Sequence, residues 1–168
     1  MTFTKCATAA ATRRAVVFIS TLALFLVTVR GAPPAQAQQS DDEKAVWKLE
    51  TAYWEDVKAL DLDKYRDLWH VNFVGWPYVS SQPLRKDHIT DWITNYTQKE
   101  LSLRWFSIHQ AASQSTGDLV VTHFWVTTFW ADKAGHGEPS AQRITHTWIK
   151  TARGWQIIGG MSAPIPAN

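Results

Sequence analysis

Glu50 is the residue whose type and position most demand chemistry. At 100° per residue, Val46, Glu50, Tyr53 and Val57 share one helix face, with Leu49 and Leu60 on one side and Trp54 on the other. Glu55, Lys48 and Lys58 point elsewhere. A carboxylate aimed at a core must be paired, hydrogen-bonded or protonated, because burial penalises its charged form. Two readings stand: a pocket acid or base, or a structural acid satisfied by backbone or a Trp N–H. His146 is the second candidate. It alternates with Ile144 and Trp148 on one face of a strand, against Thr145, Thr147 and Ile149 on the other. It reads either as a proton carrier or as a cross-strand histidine satisfied by its neighbours.

Other chemistries fail on residue type or spacing. The six His have no i,i+2 or i,i+4 pairing, so no metal is implied; only tertiary convergence of His123 with His146 could build a site. Gly160-Met161-Ser162-Ala163-Pro164 lacks the final Gly of a nucleophile elbow, and too few residues follow Ser162 to build its helix. No Gly-rich phosphate loop occurs, and no cofactor is implied. His88 and His136 read as solvated, and His70 as a packing residue at a helix edge.

Residues 1–37 read as an export signal. Lys5, Arg13 and Arg14 precede a 15-residue apolar run, Ala15 to Val29, which is short for a membrane span. Pro33-Pro34 then breaks the helix, and Ala35-Gln36-Ala37 supplies a small-x-small cleavage pattern. The expectation is a cleaved peptide with no stable membrane anchor, and a periplasmic or secreted product. Thr12-Arg13-Arg14-Ala15-Val16-Val17 resembles a twin-arginine motif, while the strongly apolar run suits general secretion, so both routes stay open. Cleavage changes the composition. The whole chain of 168 residues carries a net charge of +2 and one Cys, but residues 38–168 retain 13 of the 17 Lys+Arg, all 15 Asp+Glu and no Cys. The mature domain is mildly acidic, which removes the case for nucleic acid, and thiol-free, which removes thiolate catalysis and disulfides. All 10 Trp remain in it.

The elements that must position Glu50 and His146 follow from period and capping. Ser40-Asp41-Asp42-Glu43 is a capping-box pattern opening a helix of about five turns. Asp61 is expected to cap a second helix with Leu62, Tyr65, Leu68, Trp69 and Phe73 on its inner face, ended by Gly75-Trp76-Pro77. A third follows Pro83 with Ile89, Trp92, Ile93 and Tyr96 inward. From Leu101 the period becomes two: Leu101–Ala111, Leu119–Ala131, Gln142–Thr151 and Trp155–Met161 read as strands, separated by turns over 113–118, 132–140 and 152–154. Helices first and strands after predict an α+β domain with an antiparallel meander.

Leu68-Trp69-His70-x-x-Phe73-x-Gly75-Trp76-Pro77, followed by Arg143-Ile144-Thr145-His146-x-Trp148-Ile149-Lys150 and Gly154-Trp155-Gln156-Ile157-Ile158, resembles the nuclear-transport-factor-2-like (NTF2-like) superfamily. Within it the chain is most similar to the exported SnoaL-like group labelled domain of unknown function 4440. The resemblance covers residues 41–163. It implies an α+β cone, a curved antiparallel sheet of about four main strands wrapped around three N-terminal helices, with a pocket at its open end and homodimers through the sheet.

The resemblance also places residues. Position 146 would hold a polar or ionisable pocket group, and Tyr53 would fall near the first-helix Tyr that partners it. Glu50, Tyr53 and His146 would then form the catalytic set, with Trp54, Trp69, Trp76, Phe124 and Trp148 around a small organic ligand. Val120, Thr122, Phe124 and Val126 would face inward and His123 and Trp125 outward. One departure matters: ketosteroid isomerase carries its general-base Asp just before a Pro after helix two, whereas here no acid lies between Asp67 and Asp87. Steroid isomerisation by that route is not expected. The implied activity is a cofactor-free isomerase, dehydratase or cyclase-like step, or non-catalytic ligand binding or dimerisation on the same fold. Trp47, Trp54, Trp69, Trp92 and Trp148 also sit at core-facing spacing, so packing is the plain reading of most of them.

Overall fold

The computed structural model describes residues 39–165, so the export-signal reading of residues 1–37 lies outside the described residues. Helix α1 spans Asp41–Ala59. Its start is a complete capping box: Ser40 Oγ accepts from the Glu43 backbone N–H at 3.2 Å, and the Glu43 carboxylate accepts from the Ser40 N–H at 2.7 Å. Ser40→Ala should lower stability by about 1 kcal/mol, measured by chemical denaturation. Val46, Glu50, Tyr53, Trp54 and Val57 are all buried, which is the face the period defines.

Helix α2 covers only Leu62–Asp67, capped by Asp61. The second helix was expected to run on through Trp69 and Phe73; instead Trp69–Trp76 is strand β1. Trp69, Phe73 and Gly75 are buried on one side of it. A short β2, Leu84–Arg85, a 3-10 turn over Lys86–His88 and helix α3, Asp91–Thr97, follow. Strands β3 (Ser102–Thr116), β4 (Leu119–Ala131), β5 (Gly137–Thr151) and β6 (Gly154–Pro164) complete the chain. Strands β3 and β5 consume much of the segments 113–118 and 132–140, which the sequence assigns to turns.

The sheet has six strands in the order β2-β1-β6-β5-β4-β3: the four expected main strands, β3 to β6, and β1 and β2 beside them. It is antiparallel except between β1 and β6, which run parallel, Gly75 opposite Gly160. Since β1 and β2 precede α3, the three helices do not all come before the strands. The sheet is curved and unclosed, with α1 packed on the inner face of β3 and β4. Two bulges insert Arg104 and Ala111 into β3, and a third inserts Ile158 into β6. Each extra residue reverses the side-chain parity, which is why Leu103 and Phe106 both face the core, as do Ile157 and the position of Gly160. Trp47, Trp54, Trp69, Trp130 and Trp148 are among the buried core. No helix among the described residues is long and apolar enough to cross a membrane.

Candidate functional site

The burial of a carboxylate in α1 is resolved by three donors from β4 and β5. Glu50 is fully buried. Its Oε1 accepts from Thr122 Oγ1 at 2.6 Å and from Trp148 Nε1 at 2.7 Å. His146 Nδ1 lies 2.9 Å from Oε2 and 3.1 Å from Oε1. Register explains the convergence: Thr122 sits directly opposite His146 in the β4–β5 ladder, and Trp148 is two residues along the same face. With the Glu50 carboxylate accepting throughout, Nδ1 is the donor, so the tautomer it selects has its lone pair on Nε2. No hydrogen bond to Nε2 forms among the described residues.

Beyond that ring edge lies a cavity of about 310 Å³. Its walls are aromatic: Tyr53, Trp54, Tyr65, Trp69, Phe73, Trp76, Tyr78 and Trp92. Ile144 and His146 from β5 and Gly160 and Ser162 from β6 form a floor, and Gln142, His88 and Asp91 also line it. Tyr53, Trp54, Trp69, Trp76 and His146 therefore reach the cavity. Glu50, Phe124 and Trp148, also expected at the site, are not among the lining residues. Phe124 is buried between Trp47 and the His146 ring, with centroids 5.9 and 5.7 Å away, and Trp148 is spent on Glu50. Trp76 stands at the rim, half exposed, its Nε1 donating to the Ser80 carbonyl at 3.1 Å.

Tyr53 belongs to a second network. Its phenol oxygen lies 3.2 Å from that of Tyr65, which also lies 3.2 Å from the Ile89 carbonyl and accepts from Trp92 Nε1 at 3.1 Å. The Ile89 carbonyl can only accept, so the single Tyr65 proton goes there and Tyr53 donates to Tyr65. Tyr53 thus has its proton committed to Tyr65, not to a ligand. Burial pushes both phenols above their ordinary range, and the Tyr65 oxygen adds to the rise at Tyr53. A raised folded-state pKa contributes stability that is complete below the unfolded value, near 10, and is lost as pH rises above it. In an alkaline titration followed by phenolate absorbance, Tyr53 and Tyr65 should ionise only together with loss of structure.

Gly160 sets how close β6 comes to His146. A Cβ there would lie 2.6 Å from the Thr145 carbonyl and 2.9 Å from His146 Cδ2. Gly160→Ala should cost roughly 1–3 kcal/mol, as overpacking does, and should shift the imidazole NMR signals of His146.

The other histidines stand apart. His123 faces outward with its Nδ1 2.9 Å from Thr145 Oγ1, as the implied register has it, and Val120, Thr122, Phe124 and Val126 are buried. His136 bonds Asp132, and His70 lies on β1 and accepts from the Asn72 N–H. Among the described residues no three His, Cys, Asp or Glu groups converge as metal ligands.

Tyr65, Phe73, Trp92, Gln142 and Ser162 line the cavity but are not assigned to a site from the sequence. The signal for one of them is present: Gln142 is four residues before His146, on the same face of a strand.

No family model matches the chain, and no curated protein matches it by sequence at a significant level. Solved structures do match by fold. An NTF2-like protein from Cytophaga hutchinsonii superposes with a TM-score of 0.61 at 17% identity, over 75% of this chain and 100% of that one. A ketosteroid isomerase-like protein from Erwinia carotovora atroseptica gives 0.62 at 14% identity, over 77% and 100%. A candidate beta subunit of an aromatic-ring-hydroxylating dioxygenase from Novosphingobium aromaticivorans gives 0.59 at 12%, over 74% and 90%. The chain has the NTF2-like fold.

Proposed function

We propose that this is an exported NTF2-like domain whose aromatic cavity binds a small, apolar or aromatic organic molecule, and that His146 moves a proton on that molecule without a cofactor. The carrying observation is the imidazole itself: Nδ1 on a buried carboxylate, in a ring that lines a cavity walled by eight aromatic side chains. That arrangement makes Nε2 a general base for an acidic C–H or O–H. The proton taken onto Nε2 returns to the same molecule, either at another carbon, as in an isomerase, or on a departing hydroxyl that leaves as water, as in a dehydratase. Glu50 offsets the charge that the ring acquires meanwhile and fixes the tautomer. Assigning the proton to His146 instead of Glu50 follows from Glu50 lying behind the ring. Export to the periplasm or medium rests on residues 1–37, and the SnoaL-like, 4440-type placement on the motifs around Trp69 and His146.

A second reading, a non-catalytic binding or dimerising module, is favoured by the outer face of the sheet. Trp105 stacks on Phe129 at 5.8 Å, and Trp105 and Trp125 are each about two-fifths exposed (42% and 41%). Exposed stacked aromatics on a sheet face suit a homodimer through the sheet.

The test uses the bicyclic ketone 2-tetralone. Tryptophan fluorescence should saturate as it is added, and the protein should accelerate exchange of its α-hydrogens in D2O. Saturation without exchange selects the binding module; no saturation removes the ligand-binding reading.

A further inference from the structure

The polar groups that β5 and β6 bring to the cavity are arranged as a line, while Ser80, Asn95, Trp54 and Trp69 line it from other segments. Gln142, Ile144 and His146 alternate on the inner face of β5, with Ser162 paired to Ile144 and Gly160 to His146. Successive positions on one face of a strand are about 7 Å apart. Hydrogen-bonding capacity therefore recurs along the floor: His146 Nε2 deepest, Ser162 Oγ one step outward, the Gln142 amide near a second. Exposure follows the same order, with His146 and Ile144 buried and Gln142 and Ser162 half-buried.

Both outer groups retain unused capacity. Ser162 Oγ accepts from the Tyr78 N–H at 3.0 Å, but its own proton has no partner among the described residues. The Gln142 amide makes no hydrogen bond among the described residues. Between them and His146 the floor is Ile144 and Gly160, with aromatic walls on either side.

Charge narrows the class further. Among the described residues no Lys or Arg lines the cavity. The lining acid, Asp91, is paired with His88 at 3.0 Å, so neither is a free counter-ion. A ligand carboxylate or phosphate would lose its water and find neutral donors but no unpaired Lys or Arg among the described residues lining the cavity.

We infer that the cavity selects an uncharged ring compound bearing a hydroxyl or carbonyl at one end, bound with that oxygen outward on Gln142 and Ser162 and the ring inward against His146. Gln142 and Ser162 are then specificity-determining residues, and the single step of about 7 Å from Ser162 to His146 leaves the C–H groups beside the anchored oxygen next to the imidazole. This rests on the ligand-binding reading above and names the class of ligand.

Three probes of equal ring size test it: 2-naphthol, naphthalene and 2-naphthoate, titrated into the full domain by tryptophan fluorescence at neutral pH. The expected order is 2-naphthol tightest, naphthalene about fivefold weaker and 2-naphthoate at least tenfold weaker, since one or two hydrogen bonds are at stake. Gln142→Leu should weaken 2-naphthol about three- to tenfold and leave naphthalene within twofold; Ser162→Ala should act in the same direction. Melting curves by circular dichroism establish that both variants fold. Equal or tighter binding of 2-naphthoate, or variants that weaken naphthalene as much as 2-naphthol, overturns the inference and leaves the ligand-binding reading intact. Failure of all three probes to bind overturns both.

Discussion

Glu50→Ala is expected to lower the unfolding free energy by about 3–5 kcal/mol, from three buried donors left without an acceptor and the void beside them. In a domain of this size that corresponds to a fall in melting temperature of roughly 10–20 °C. The loss has identifiable parts. The substitution strands the Thr122 hydroxyl, the Trp148 indole N–H and His146 Nδ1 in the core, each without an acceptor, and opens a void where the side chain was. Glu50→Gln keeps an oxygen for Thr122 and Trp148, so it should lose far less. Thermal denaturation followed by circular dichroism separates the two variants. A loss below about 1 kcal/mol for the alanine variant would mean that the network does not hold α1 to the sheet.

The second large effect is kinetic. His146→Gln should reduce the exchange of 2-tetralone α-hydrogens by about 10²–10⁴-fold, the usual contribution of a positioned general base. Ligand affinity should change little, because the aromatic walls are untouched. Glu50→Gln tests the same unit from behind. Its amide N–H would face Nδ1 and turn the imidazole to the tautomer with hydrogen on Nε2, abolishing the basic lone pair at the cavity. The rate should therefore fall while affinity is kept and the pH–rate profile changes shape. A purely structural carboxylate would give no such division between rate and binding. An undiminished rate in His146→Gln removes the proton-transfer role.

The features legible in sequence were those set by local period. Glu50 on the inner arc of α1 and the Ser40 cap needed nothing beyond neighbours in the chain, whereas the inner face of β4, apolar on both sides, came only from the family resemblance. β1 escaped because Trp69 and Phe73 are four apart, a spacing that a helix face and a strand face share. The deciding residue was Val71: it lies on the same strand parity as Trp69 and Phe73 and yet is 76% exposed, at a place where the β1–β6 register shifts. Reading Trp69 to Phe73 as helix also hid two strands of the sheet. Within the site, Glu50 and His146 were identifiable singly, but their partners were not. Thr122 and Gly160 become neighbours of His146 only through cross-strand register, which bulges such as that at Ile158 change by one residue at a time. The roles followed from depth: Glu50 lies behind the ring that was expected to assist it.

The bulges in β3 bear on solubility as well as parity. β3 is the last strand of the sheet and 15 residues long, so one of its edges carries unpaired backbone donors and acceptors that invite another chain. Arg104 and Ala111 break that edge into short lengths, with only Trp105 to Gln110 uninterrupted between them. A foreign strand docking there would lose register twice along its path. The irregularities that turn Phe106 and Ile108 toward the core thus also guard a long exposed edge against growth into fibrils.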